Sequence, residues 1–146
     1  MPKWFDIDIM MLHVRCGTGG MILKPTRATE NYLETILQLK KKIGNVRSVD
    51  VANELGYSRP TVSVAMKDFR EKGYVTVDAD GMISLTESGQ KIAETILERH
   101  LVLSEILISL GVSEEVAKAD ACALEHDISD ESFACMKKHY LERIKK

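Results

Sequence analysis

The stretch SRPTVSVAMKDFREKGYVTVDADGMISLT, residues 58–86, changes its apolar period partway along, and that change decides the fold. Up to Gly73 the spacing is the 3.6 of a helix; from Tyr74 it is the 2 of a strand. Ser58 is a good N-cap, Pro60 sits in the first turn where its missing N–H costs nothing, and Gly73 closes the helix. Tyr74–Asp78 and Met82–Leu85 then read as two short strands around the turn Asp-Ala-Asp-Gly. A helix followed by a two-stranded ribbon needs a partner helix before it, so the reading moves upstream.

Two helices precede the stretch. In ATENYLETILQLKKKIGN, Tyr32, Leu33, Ile36, Leu37 and Leu39 follow the helical period, with a basic last turn and Gly44 at the end. In SVDVANELG, Val49, Val51, Ala52 and Leu55 point inward before Gly56, and only a short turn separates this helix from Ser58. Helix, helix, tight turn, helix, ribbon is the order of a winged helix-turn-helix, whose last helix enters the major groove. The residues offered to DNA are Ser58, Arg59, Pro60, Thr61 and Ser63, with Val64 and Lys67 a turn further on. Hydroxyls reach base edges or phosphates, Arg59 bonds guanine or phosphate, and Pro60 and Val64 suit thymine methyls. Lys40–Lys42, Arg47, Arg70 and Lys72 add backbone contacts, which give affinity rather than sequence choice. The competing reading is a small helical domain whose polar helix faces water.

Downstream the helical period resumes. ESGQKIAETILERHLVLSEILISLG reads as one long helix, SEEVAKADACALEHDIS as the next with Ser113 as N-cap, and DESFACMKKHYLERIKK as the last. The apolar stripe of the long helix reads as core or dimer packing. The expected fold class is therefore mainly α: a winged helix-turn-helix over residues 25–88, then a helical domain over 89–146. Residues 1–24 are assigned to a leader, either a loosely ordered arm or a stretch upstream of a natural start at Met21.

Charge divides along the same line. Ten Lys/Arg face six Asp/Glu between Lys24 and Gly73, whereas eight face fourteen from Tyr74 onward, inside a chain of net charge −2. A basic front and an acidic back suit one half facing a polyanion and the other doing something else. Three cysteines, irregularly spaced, exclude a disulfide framework and fit a reducing cytoplasm, and no apolar run approaches a membrane span.

The acidic half holds a second signal. In ADACALEHDIS, residues 119–129, Cys122, Glu125 and His126 stand at i, i+3 and i+4 on one helical face. A thiolate, a carboxylate and an imidazole together suit Fe(II), Co(II), Ni(II) or Zn(II) better than Mg(II) or Ca(II). Alone the pattern is weak, since Glu and His often sit solvated on helices. His100, beside the packed face of the long helix, and Glu34, one turn after Asn31 on the first, are further donors if the helices converge. Cys135 reads as a buried small hydrophobe and His139 as surface, while His13 and Cys16 fall in the leader.

From Thr29 to about Asp130 the chain resembles the diphtheria-toxin-repressor family of metal-dependent transcriptional repressors. The resemblance rests on TENYLETI, SRPTVSVAMKDFREKGYV, LTESGQKIA, ERH and CALEHDIS in that order. It implies a homodimer on double-stranded operator DNA, with bound metal fixing the two winged domains at operator spacing. By resemblance Cys122, Glu125 and His126 match primary ligands, His100 a ligand of the neighbouring site, and Glu34 a ligand of the manganese-sensing branch. Asn31 stands where the iron branch has Met and the manganese branch Asp, with an amide oxygen able to coordinate. Ser104 and Lys118 occupy ancillary ligand positions of the iron branch, and a lysine repels a cation. A short two-domain form sensing Fe(II), with Mn(II) or Zn(II) open, is expected to control metal-homeostasis genes and not to be an enzyme. The rivals are a winged-helix regulator that responds to Cys122 oxidation or to no metal at all, a protein-interaction module, and a small metallohydrolase, for which no H-E-x-x-H is present.

Overall fold

The computed structural model describes residues 24–145. The expectations for the leader, including Met21, His13 and Cys16, lie outside the described residues. The elements are α1 (Arg27–Ile43), β1 (Val46–Arg47), α2 (Ser48–Leu55), α3 (Arg59–Glu71), β2 (Val75–Val77), β3 (Met82–Leu85), α4 (Glu87–Ser109), α5 (Glu114–Leu124) and α6 (Asp130–His139), followed by a wider π-type turn over Tyr140–Ile144. The mainly helical winged helix-turn-helix with a helical back half is what the periods predict.

Local chemistry sets the boundaries. Thr26, Ser58, Thr86 and Ser129 each accept a backbone N–H from the residue three positions on, so α1, α3, α4 and α6 all begin with a side-chain cap. The wing hairpin turns through an Asp78 carboxylate that accepts the N–H groups of Asp80 and Met82. Gly81, at φ 78°, provides the left-handed residue that closes this turn. One element escapes the sequence reading: β1 pairs antiparallel with β3, making a three-stranded sheet in the order β1-β3-β2. Two residues are too few to show a period of 2.

Leu33 and Ile36 of α1, Val46 of β1, Val51 of α2, Val62 of α3, Val75 of β2, Ile83 of β3 and Ala93 of α4 close one apolar core. Each fully buried aliphatic side chain contributes roughly 1.5–3 kcal/mol. α1 is thus the floor of the winged unit on one side and lies along α4 on the other. At the wing end α4 approaches so closely that a Cβ on Gly89 would overlap the Tyr74 carbonyl oxygen. The expected stripe on α4 splits: Val102 and Leu103 are buried, whereas Leu101 and Leu110 are exposed. Val102 packs with Phe133 and Tyr140 in a smaller second core.

The helix expected to run through His126 instead stops at Leu124. Glu125 takes the C-cap position, and residues 125–129 form a turn before Ser129 caps α6. Cys135 is exposed rather than buried, because α6 turns its Phe133 face inward.

Candidate metal centre

Four elements bring donors to one place. α1 carries Glu34, α4 carries His100, the last turn of α5 carries Cys122, and the turn after it carries Glu125 and His126. Two groups of donor atoms result, each lying within 4.8 Å: His100, Cys122 and Glu125, and Glu34, Glu125 and His126. Glu125 belongs to both. Its side chain is 0% exposed, with Oε2 2.9 Å from His100 Nδ1 and Oε1 3.2 Å from His126 Nε2. That Oε1 has no hydrogen-bond partner. A buried carboxylate oxygen left unmatched is costly, and a cation between the facing donors is what it lacks.

The electrostatics point the same way. Burial, then the Glu125 charge, pushes the Glu34 carboxyl up to about 7, and a Glu34 proton shared with Glu125 adds to the rise; His100 and Gln38, whose amide donates to Glu34 at 2.9 Å, lower it. The bond to Glu125 raises His100, with burial opposing. Cys122 is exposed as a residue, yet partial burial of its thiol and the Glu125 and Glu34 charges raise it. The cluster therefore resists carrying its own negative charge. A mixed oxygen, nitrogen and sulfur donor set in a charge-starved pocket fits a divalent transition metal.

Two residues that the spacing did not single out frame the site. Arg99, 4% exposed, donates to the carbonyl oxygens of Glu125 and Ile128, pairs with the Asp130 carboxylate and lies over the Phe133 ring. It fastens the turn that carries Glu125 and His126. Glu30 on α1 is buried with Oε2 2.8 Å from His126 Nδ1. The available signal was the i, i+4 pair Glu30 and Glu34 on the face of α1 that also buries Leu33 and Leu37. Asn31 is half-buried and, among the described residues, makes no side-chain hydrogen bond to the cluster. Ser104 donates to the His100 carbonyl, and Lys118 pairs with Glu114.

The residues expected to meet DNA gather on one helix. Arg59, Pro60, Thr61, Ser63, Val64 and Lys67 form the exposed face of α3, opposite buried Val62, Met66 and Phe69. Ser58 caps the helix and shares a hydrogen bond with the Thr61 hydroxyl at 2.7 Å. Lys72 is held by Asp68 at 2.7 Å, which draws it away from a backbone-contact role.

Residues 24–82 match the iron dependent repressor N-terminal DNA binding domain, and residues 86–145 the iron dependent repressor metal binding and dimerisation domain. The transcriptional regulator MntR of Escherichia coli is 37% identical over 103 residues, 70% of this chain and 66% of that protein. An uncharacterized HTH-type transcriptional regulator of Methanocaldococcus jannaschii is 32% identical over 122 residues, 82% of this chain and 97% of that one. Among solved structures, a manganese-dependent transcriptional repressor in complex with manganese superposes with a TM-score of 0.69 at 28% identity, covering 75% of this chain and 51% of the other. The chain thus spans just under two thirds of the MntR relative and about half of the repressor structure.

Proposed function

Since the chain belongs to the iron dependent repressor family, we propose that it is a metal-dependent DNA-binding transcriptional repressor that senses Fe(II) and controls metal-homeostasis genes. Buried Glu125, with one carboxylate oxygen unpartnered amid Glu34, His100, Cys122 and His126, is the observation that carries the reading. Those five residues are the assigned ligands, with the Asn31 amide oxygen as a sixth candidate. The Cys122 thiolate favours Fe(II) over Mn(II), and Zn(II) is the competing thiolate-compatible ion. The winged unit of residues 25–88 is assigned to DNA and residues 89–146 to metal and dimerisation, the division falling in the first turns of α4. Leu101 and Leu110 offer exposed apolar surface for a second copy.

The mechanism follows from who carries which ligand. A divalent cation held by these residues would supply the positive charge that lets Glu34 be ionised beside Glu125 at neutral pH. Without it, Glu34 holds a proton or repels Glu125, and α1 has reason to move off the turn. With Glu34 ionised and drawn in, α1 is fixed against α4 and the turn. α1 is also the floor of the winged core through Leu33, Ile36 and Leu37, so α3 is fixed with it. In a dimer this sets the distance between two α3 helices, which must match half-sites about 34 Å apart. Arg59, Pro60, Thr61, Ser63, Val64 and Lys67 then meet the groove, with Ser58 shaping the helix start. The switch works only because the cation binds the DNA-competent arrangement better than the other.

The experiment is an anaerobic titration of Fe(II), Mn(II) and Zn(II), reading metal stoichiometry together with binding to duplexes selected from a random pool. Metal-stimulated binding reversed by chelator is expected. Selected-duplex affinity that chelator leaves unchanged overturns the switch, and a response to peroxide instead identifies Cys122 oxidation as the signal.

A further inference from the structure

Glu30 belongs to neither donor group, yet it is one of the few buried charged side chains among the described residues. Its Oε2 lies 2.8 Å from His126 Nδ1, both side chains are under 10% exposed, and the two residues are 96 positions apart. On the far side of the ring, Nε2 faces Glu125 Oε1 at 3.2 Å without a hydrogen bond between them. A neutral imidazole has one N–H, and a carboxylate partner holds that hydrogen on the nitrogen it touches. Here that nitrogen is Nδ1, which leaves Nε2 as a lone pair directed at an unpartnered carboxylate oxygen. Two electron-rich atoms facing each other in a buried pocket are repulsive unless a cation joins them.

Resting on the functional reading above, we propose that Glu30 is a positioning residue. It fixes the Nδ1–H tautomer of His126, presents Nε2 to the metal and ties the His126 ring to α1. Two anchors then hold the turn 125–129. Arg99 grips its backbone from α4, and Glu30 holds its imidazole from α1. Glu34 reaches the cluster from α1 directly, and Glu30 reaches it through His126. The winged unit is therefore joined to the metal through two side chains one helical turn apart.

The experiment compares wild type, Glu30→Gln and Glu30→Ala. Nitrogen-15 NMR of the imidazoles in metal-free protein reports the tautomer, with His126→Asn assigning the signal. Zn(II) affinity is measured by competition with a chromophoric chelator, and thermal unfolding of the metal-free protein is followed in parallel. Wild-type His126 is expected as the Nδ1–H form, and Glu30→Ala as the Nε2–H form or a mixture, with Zn(II) affinity about 10–100-fold weaker. Glu30→Gln, which keeps an acceptor of the same length, should hold the tautomer and lose less affinity. An unchanged His126 signal with affinity within twofold of wild type overturns the proposal. So does a drop in melting temperature alone, which marks a merely structural carboxylate. Should Glu30→Ala not fold, Glu30→Met, which keeps the bulk and removes the acceptor, takes its place: a changed His126 tautomer with weakened Zn(II) binding supports the role, and an unchanged tautomer with unweakened binding overturns it. Wild type that binds no Zn(II) fails the metal reading itself and is seen before any variant is made.

Discussion

Replacing Glu125 by Gln should make the metal-free protein more stable while removing its response to metal. Glu125 is fully buried, its Oε1 is unpartnered, and its charge is one cause of the displaced Glu34 carboxyl. Leaving one buried polar group of this kind unmatched costs about 1–3 kcal/mol. A Gln of the same shape keeps an oxygen for His100 and offers an N–H₂ to Glu34, so most of that penalty is relieved. The expected gain is then about 1–3 kcal/mol, or roughly 3–12 °C in melting temperature for a chain of this size.

Wild type in turn gains about 2.7 kcal/mol when metal stands at a hundred times its Kd. Glu125→Gln should gain almost nothing, so the two melting curves exchange order between chelator and saturating Mn(II) or Zn(II). Measurement belongs at pH 8, above the raised Glu34 value, where Glu34 has largely lost the proton that Glu125 could accept. At pH 6 a protonated His100 partners the Glu125 charge, so the advantage of Gln should shrink. A Glu125→Gln protein less stable than wild type in chelator at pH 8 would refute the reasoning, since Glu125 would then be a satisfied structural carboxylate.

Three further outcomes are expected. The Glu34 carboxyl titrates near 7 when folded against a carboxylate's ordinary 4.5, so its contribution to metal-free stability is full below 4.5 and lost as pH rises through 7. Calorimetry in buffers of different ionisation enthalpy should therefore show protons released on metal binding at pH 6.5, with fewer released after Glu34→Gln; equal release in both refutes the assignment. Gly89→Ala drives a methyl into the Tyr74 carbonyl and should cost about 1–3 kcal/mol in urea denaturation, and a neutral result would mean that the wing yields. Arg59→Ala or Lys67→Ala should each lower the salt slope of operator binding by about one if the side chain contacts a phosphate, whereas a loss confined to particular base pairs assigns it to base readout.

Most of the winged half was legible because its helices and hairpin carry local signatures: a cap at Ser58, a period change at Tyr74, glycines at the ends. β1 was not, since two residues show no alternation and its place is set by pairing with β3. At the metal site the residue types in CALEHDIS were readable, but their geometry was not. Nothing in the spacing says that α5 stops at Leu124, because the stop depends on Arg99, 26 residues earlier, capturing the Glu125 and Ile128 carbonyls. Glu30 stayed hidden for a related reason: a carboxylate in the first turn of a helix is ordinary until a distant imidazole lands on it.

The early stop of α5 bears on the chemistry. Had the helix run on to Ser129, Glu125 would stand a full turn before its end, further from the unbonded carbonyls of the last turn. At the C-cap position it lies among the helix's last carbonyls, the negative end of its dipole. A carboxylate there faces the Glu34 carboxyl and the negative end of the helix, and burial strips it of water. The nearby opposing charges are committed elsewhere: Arg99 to the Asp130 carboxylate and the turn carbonyls, Arg27 to Asp127, and Lys118 to Glu114. The charge and dipole terms reverse in sign for a cation, whose own desolvation is offset by the donor atoms around it. The repulsion among the donors and their attraction for a cation thus share one electrostatic source, and the C-cap position of Glu125 adds to it.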